Sequence, residues 1–334
     1  MKHLTQSIQE RLKNVARTEN KSFQLILTRY LQERLLYRLS QSPFNVNFCL
    51  KGGALLYAWE RETSRPTLDI DLLAIEIQRD LDRLAAVFKS LCSIGYPEDG
   101  VFFDPATVQA SEIMGTGVNS GVRIKIQCSL GQIRQILTVD IGFGDSVTPS
   151  PVQLIYPVIL DMHAPALIAY SPETVIAEKL EAMIDLAEAN SRMKDFYDVF
   201  HLLIRQRYDS GILREAIAQT FRNRGTPLNP DHSIFQSAFA EDPMRIQMWD
   251  RFLARTQLDV QLPFQHVMRT LTSILSPCSG RKRPDPASFT PVHLHALAAP
   301  GADFSGGEAG WAVHRSQELD ALARLQGCRR RNEG

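Results

Sequence analysis

This sequence of 334 residues lacks the marks of several common protein classes. Lys plus Arg equals Asp plus Glu at 37 each, so the net charge is zero and no overall basic field attracts nucleic acid. Its five cysteines have no CxxC spacing, which argues against a zinc site or a disulfide framework and predicts a reducing cytoplasm. No apolar run suits a membrane span, and the first residues lack a signal peptide's apolar core. We therefore expect a globular cytoplasmic protein that contacts RNA, if at all, through a local patch.

A glycine pair, Gly52 and Gly53, joins a short apolar strand over residues 46–50 to the start of a helix. Glycines let the backbone approach a phosphate closely, and the following helix offers its N-terminal N–H groups. Lys51 and Arg65 add positive charge to the same stretch. The pattern therefore predicts an anion-binding turn.

Two carboxylates follow on the next predicted strand, residues 67–73, whose side chains alternate between two faces. The core face takes Leu68, Ile70 and Leu72, and the opposite face takes Thr67, Asp69 and Asp71. Carboxylates roughly 6–7 Å apart repel each other, and a divalent cation removes that repulsion. Mg²⁺ is usually held by one or two carboxylates together with phosphates. The strand predicts a metal–nucleotide site, with a solvated strand end after a proline turn as the alternative.

Asp140 supplies a third carboxylate on a later strand. The core face of that strand takes Leu137, Val139 and Ile141, and the opposite face takes Thr138 and Asp140. An earlier strand, residues 121–130, turns Arg123 and Lys125 away from the core in the same way. A third carboxylate on a neighbouring strand suits two-metal phosphoryl transfer, and a hydrogen-bonded strand end is the alternative. Asp145, beyond the strand, is predicted to be a loop or cap residue.

Two helices are predicted before the glycine turn, over residues 5 to about 40, with a break near 18–20. In the second helix, apolar residues recur every four positions and form a stripe that must be buried. Arg29, Arg34 and Arg38 lie off this stripe. We expect them on a solvated helix face rather than in a substrate groove.

Four prolines between residues 149 and 165 mark a crossing to a helical second half. There, Lys179 lies among apolar neighbours at helical spacing, so it either extends along the surface or reaches into an active cleft. Asp195 starts a helix, where the helix dipole favours an acid, so capping is an alternative to catalysis. Asp198 is its rival for a catalytic role. From residue 276 the composition shifts to Pro, Gly, Ser, Ala and His, which predicts disorder.

Five segments in a fixed order, KGG, RPTLDID, VDIGFGD, EKLEAM and KDFYD, resemble the motifs of AbiEii/AbiGii-type toxin nucleotidyltransferases of type IV toxin–antitoxin systems. These toxins belong to the superfamily that includes DNA polymerase β. The resemblance implies an α+β fold in which helices flank a polymerase β-like mixed sheet. It implies a nucleotidyltransferase domain over residues 1–165 that includes the N-terminal helices, and a helical domain over 166–275 that closes the cleft. The tail over 276–334 lies outside the resemblance.

The resemblance also implies a function: transfer of a nucleoside monophosphate from an NTP, with Mg²⁺ or Mn²⁺, to an acceptor such as the 3′ end of tRNA. Such a toxin acts in abortive infection, a phage defence, and a separate antitoxin neutralises it. The implied metal ligands are Asp69, Asp71 and Asp140. The implied nucleotide-binding residues are Lys51, Gly52, Gly53, Arg65, Thr67 and Lys179. Asp195 would belong to the catalytic cluster.

One residue departs from the superfamily pattern, because Gly53 stands where many members have a serine. Backbone N–H groups must then replace the serine hydroxyl. Thr67, on the same face as Asp69, either contributes a hydroxyl or is a plain β-branched strand residue. Two other functions stay open at this point. One is an NTP-binding regulatory or interaction protein without turnover, and the other is a metal-dependent nuclease that uses the same acids.

Overall fold

The computed structural model describes residues 2–61, 64–113, 121–256, 258 and 262–276. It divides into two compact units. The first reaches Val175 and includes a short segment from Leu253, and the second runs from Ile176 to Phe252 and includes the described residues from 262 onward. Apart from Ser276, the tail predicted over 276–334 lies outside the described residues.

Four helices belong to the first unit: α1 (Lys2–Thr18), α2 (Phe23–Ser40), α3 (Gly52–Glu60) and α4 (Leu81–Cys92). The side chain of Ser22 caps α2 by accepting a hydrogen bond of 3.2 Å from the backbone N–H of Leu25. The prediction of two N-terminal helices separated near residues 18–20 is confirmed.

Eight strands of the described chain form one sheet: β1 (Phe48–Lys51), β2 (Asp69–Ala74), β3 (Val101–Phe103), β4 (Gln109–Ile113), β5 (Gly121–Leu130), β6 (Ile133–Gly142), β7 (Val152–Ile155) and β8 (Ala166–Ala169). Their order is β3-β5-β6-β2-β1-β8-β7, and β4 pairs with β5 beside β3. Parallel pairs join β2 to β6 and β1 to β8, whereas β1–β2 and β5–β6 are antiparallel. The predicted mixed sheet flanked by helices is present.

One face of the sheet forms the core of the first unit. Ile70, Leu72 and Val139 are buried there next to Leu35 of α2 and Phe88 of α4. The alternation of residues 121–130 and of the strand around Asp140 is confirmed, because every second side chain is buried. The carboxylates of β2 and β6 therefore lie on the opposite face.

Leu68 does not join that core. It is 66% exposed, because β2 begins only at Asp69 and the preceding residue is outside the strand pairing. The predicted core face is correct for Ile70 and Leu72 and wrong for Leu68.

The expectation of a solvated face on α2 is also wrong. Arg29, Arg34 and Arg38 are all buried. Arg38 forms an ion pair with buried Asp99, and Arg34 donates a 2.8 Å hydrogen bond to the carbonyl oxygen of His163. Loop segments far along the chain cover the polar side of α2, and the sequence periodicity of one helix cannot show such cover.

We expect Arg38→Met to lower the free energy of unfolding by about 3–5 kcal/mol, because it leaves the Asp99 carboxylate buried without its cation. Urea denaturation of both proteins measures the difference. The matched control is Lys13→Met, which breaks the exposed Lys13–Glu10 pair and should cost less than about 1 kcal/mol. Equal losses in the two variants would show that the Arg38–Asp99 pair is not stabilising.

Burial raises the pKa of Glu33, a neighbour on α2, to about 7, although the adjacent Arg34 partly opposes the shift. An unfolded glutamate titrates near ~4.3, so between these values the folded protein holds a proton that the unfolded chain has lost. The free energy of unfolding should therefore fall as the pH rises towards 7. We expect Glu33→Gln to flatten this dependence in denaturation curves taken between about pH 5 and pH 8. Parallel pH profiles for the two proteins would show that Glu33 does not cause the pH dependence of the free energy of unfolding.

The second unit is helical in its described residues. Its helices are α5 (Pro172–Leu186), which begins in the first unit, α6 (Met193–Arg205), α7 (Ser210–Arg224), α8 (Ser237–Glu241), α9 (Pro243–Thr256), which ends in the first unit, and α10 (Phe264–Leu275). Aromatic rings fill its core: Phe264 lies 5.5 Å from Phe196 and 5.6 Å from Trp249 between ring centroids. No described helix has the length and apolar character of a membrane span.

Candidate active site

Strand register brings three carboxylates to the open face of the sheet, the face opposite the core. Asp71 on β2 is the direct partner of Asp140 on β6, and Asp69 is the partner of Thr138. Neighbouring strands lie about 4.7–4.9 Å apart, so Asp71 and Asp140 start from adjacent positions. The same row continues to Lys51 on β1 beside Asp71. The three predicted acids of the first unit therefore share one region.

Arg123 extends the row on β5, where it is paired with Asp140. Its Nε and Nη2 atoms donate hydrogen bonds of 2.8 and 2.7 Å to the two carboxylate oxygens of Asp140. The hydrogen bonds to Asp140 raise the pKa of Arg123, and the charges of Asp69 and Asp71 add to the effect. Arg123 thus already supplies positive charge to the acidic region.

The glycine turn is packed directly against these acids. Gly52 has a φ of +64°, and a side-chain Cβ there would lie 2.6 Å from the Cβ of Asp71. A Cβ on Gly53 would lie 2.5 Å from the Oγ1 of Thr67. The backbone N–H of Gly53 donates a 3.2 Å hydrogen bond to Oδ2 of Asp71. Both positions therefore need glycine. The side chains of Thr67 and Asp71 pack against these glycines, which begin α3.

The two predicted cations near the turn have different surroundings. The Nζ of Lys51 lies 2.8 Å from Oδ2 of Asp145 and 4.9 Å from the ring centroid of Tyr170. Asp145 is a loop residue, as predicted, and its pairing with Lys51 was not predicted. Half-buried Arg65 donates a 3.4 Å hydrogen bond from Nη1 to the carbonyl oxygen of Pro66.

The remaining predicted site residues lie in the second unit. The Nζ of Lys179 on α5 donates hydrogen bonds of 2.7 Å to Asp195 and of 2.7 Å to Asp198 on α6. The two carboxylate side chains are 1% and 2% exposed, and Arg192 lies 2.8 Å from Asp195. Lys179 therefore does not extend along the surface, and it contacts both rival aspartates equally.

The three carboxylates of the open face are the candidate ligands for a divalent metal. Carboxylate oxygens are the ligands that Mg²⁺ prefers, and Asp71 and Asp140 are adjacent on neighbouring strands. In the part of the chain that the structure describes, however, no group of three His, Cys, Asp or Glu side chains is placed to hold a metal. The donor chemistry fits a divalent cation, and such a cation must compete with Arg123 for the oxygens of Asp140.

A family model described as "Nucleotidyl transferase AbiEii toxin, Type IV TA system" matches residues 34–270, which include all of the predicted site residues. The chain belongs to this family. It is therefore a nucleotidyltransferase of the AbiEii toxin type, with an NTP as substrate and an antitoxin as partner. The family predicted from the five ordered segments is confirmed.

Two solved structures are similar to this AbiEii family member at low identity. JHP933 from Helicobacter pylori is 17% identical, with a TM-score of 0.44, over 77% of this chain and 93% of its own. An antigenic nucleotidyltransferase-like protein from Paracoccidioides brasiliensis is 15% identical, with a TM-score of 0.34, over 58% of this chain and 89% of its own. None of the curated proteins matches this chain.

Two side chains near the acids were missed by sequence reasoning. The alternation of β5 predicts that Arg123 points away from the core, but it does not identify Asp140 as its partner. The sequence predicts a loop or cap position for Asp145, but its contact with Lys51 joins residues that are far apart in the chain. The sequence signal for the first pair was the short hairpin turn between β5 and β6, which fixes their register.

Proposed function

We propose that this AbiEii-family protein transfers a nucleoside monophosphate from an NTP to the 3′ end of tRNA in a Mg²⁺-dependent reaction. By stopping translation, this transfer would act in abortive infection until the antitoxin neutralises the toxin. One observation supports the chemistry most: Asp71 and Asp140 are cross-strand partners on the open face, and Asp71 is bonded to the glycine turn.

In the proposed reaction, an acceptor hydroxyl oxygen attacks the α-phosphorus of the NTP, and the bond to pyrophosphate breaks. Asp140 accepts a hydrogen bond from that hydroxyl and takes its proton as the new bond forms. Backbone N–H groups at the start of α3 and the Lys51 cation bind the triphosphate. When bound, Mg²⁺ neutralises phosphate charge, and Asp69, Asp71 and Asp140 would hold it. Arg123 orients the carboxylate of Asp140 through two hydrogen bonds.

Lys179 and Asp195 enter the proposal through the family motifs EKLEAM and KDFYD. The family resemblance assigns Lys179 to the nucleotide phosphates and Asp195 to the catalytic cluster. Their ion pair in the second unit supports a shared role, because the lysine is fixed by two buried carboxylates.

Incubation of the purified protein with Mg²⁺, total tRNA and each α-labelled NTP in turn tests the proposal. A denaturing gel should show label moving into intact RNA with at least one nucleotide, and a chelator should abolish it. RNA that is shortened and carries no label would indicate nuclease activity and contradict nucleotidyl transfer. Nucleotide binding without any labelled product would favour a regulatory protein without turnover.

A further inference from the structure

Strands β3 and β6 each expose one large apolar side chain on the open face of the sheet, away from the acids. Phe102 on β3 is 60% exposed and Ile136 on β6 is 63% exposed. Phe102 is the partner of Ser129, and Ile136 is the partner of Gln127, whereas the intervening Cys128 is buried on the core face. Exposed apolar side chains that lie together, rimmed by polar residues, mark interaction surfaces.

Two cations accompany them on the same face. Arg134 is the partner of Ser129, Lys125 is the partner of Thr138, and both cations are exposed. Neither Lys125 nor Arg134 forms an ion pair with another described residue. Among the described positions of β3 to β6 on this face, Asp140 is the one acid, and Arg123 neutralises it. The surface formed by Phe102, Lys125, Arg134 and Ile136, here called the open-face patch, is therefore basic and apolar.

Strand β6 connects the open-face patch to the candidate active site. Ile136, Thr138 and Asp140 occupy alternate positions of β6, so Ile136 lies about 13 Å from Asp140 along the strand. Lys125 lies between them, because its partner Thr138 is also the partner of Asp69. A polymer that runs along β6 from the open-face patch would thus reach the carboxylates.

The chemistry of the open-face patch matches one class of polymer. Single-stranded RNA presents unstacked bases, which pack on aromatic and apolar side chains, and phosphates, which bind Lys and Arg. Duplex RNA offers no free base faces and is recognised by its shape. We propose that the open-face patch binds the single-stranded 3′ segment of the acceptor RNA and leads its terminal hydroxyl to Asp140. This inference rests on the proposed function and adds the surface that selects the acceptor.

Two matched sets of variants test the inference. The double variant Lys125→Ala/Arg134→Ala is compared with Arg83→Ala/Lys89→Ala, which removes two exposed cations from α4. Ile136→Ala is compared with Ile155→Ala, because Ile155 is 69% exposed at the other end of the same sheet. The probes are a fluorescent single-stranded RNA of mixed sequence and total tRNA. Binding is followed by anisotropy, and transfer by the KM for tRNA and for the NTP.

We expect the Lys125→Ala/Arg134→Ala variant to raise the Kd for RNA and the KM for tRNA about five-fold or more, with the KM for the NTP unchanged. The slope of log affinity against log salt should fall by about 1.4, or ~0.7 for each lost phosphate contact. Ile136→Ala should also raise the Kd, without a change in the salt slope. The variants at Arg83, Lys89 and Ile155 should behave as wild type.

The outcomes separate this inference from the proposed function. Weakened RNA binding in the patch variants, with no label transfer to RNA by wild type, would support the patch and contradict the proposed function. Transfer that is equally efficient in patch variants and controls would show that the open-face patch does not bind the acceptor RNA. The proposed function would be unaffected by that result. A wild-type protein that binds neither RNA probe, or that labels a protein instead, would overturn the inference.

Discussion

Replacing Asp71 by Asn is expected to lower nucleotidyl transfer at least about a hundred-fold while leaving the fold intact. The amide oxygen of Asn can still accept the hydrogen bond from Gly53 N–H, so the glycine turn keeps its contact. What the variant loses is one negative charge at the centre of the row formed by Lys51, Asp71 and Asp140. The rate of label transfer into RNA measures the loss.

Asp82→Asn is the matched control, because Asp82 is an exposed aspartate in the first turn of α4, on the core side of the sheet. It should transfer label at the wild-type rate. Thermal melting and circular dichroism should show that Asp71→Asn is folded. If folded Asp71→Asn keeps the wild-type rate, β2 does not carry the chemistry.

Replacing Lys179 by Met is expected to cost about 3–5 kcal/mol of unfolding free energy, as well as nucleotidyl transfer. Lys179 is the cation between Asp195 and Asp198, whose carboxylates are nearly inaccessible to water. Without it, two buried negative charges face each other. Chemical denaturation measures the effect, and Lys194→Met, at an exposed position of α6, is the control and should change little.

A second substitution separates repulsion from a general packing defect. Adding Asp198→Asn to Lys179→Met removes one of the two buried charges, so the double variant should recover part of the lost stability. If the double variant is no more stable than Lys179→Met alone, charge repulsion does not explain the loss. Transfer should remain absent in both, because the cation assigned to the phosphates is missing.

The acidic face could be predicted from sequence because strand alternation is a local property. In β2, Ile70 and Leu72 are buried and Asp69 and Asp71 lie on the opposite face, as their period of two requires. The pairing of Arg123 with Asp140 was predictable in principle. A two-residue turn makes Leu130 the partner of Ile133. Counting seven residues away from the turn on each strand then makes Arg123 the partner of Asp140.

Two other features could not be predicted, for different physical reasons. The burial of Arg34 and Arg38 depends on segments around Asp99 and His163, which are distant in sequence and make no periodic pattern. The Lys51–Asp145 contact depends on the path of a loop, and loop paths are not fixed by side-chain alternation.

In the proposed reaction, the carboxylates of β2 and β6 support transfer of a nucleoside monophosphate to RNA. Its most direct test incubates wild type and Asp71→Asn with Mg²⁺, total tRNA and an NTP labelled at either the α- or the γ-phosphate. We predict that the α-label enters RNA with wild type alone and that the γ-label leaves as pyrophosphate. Entry of the γ-label into RNA, or equal α-labelling by folded Asp71→Asn, would contradict the claim.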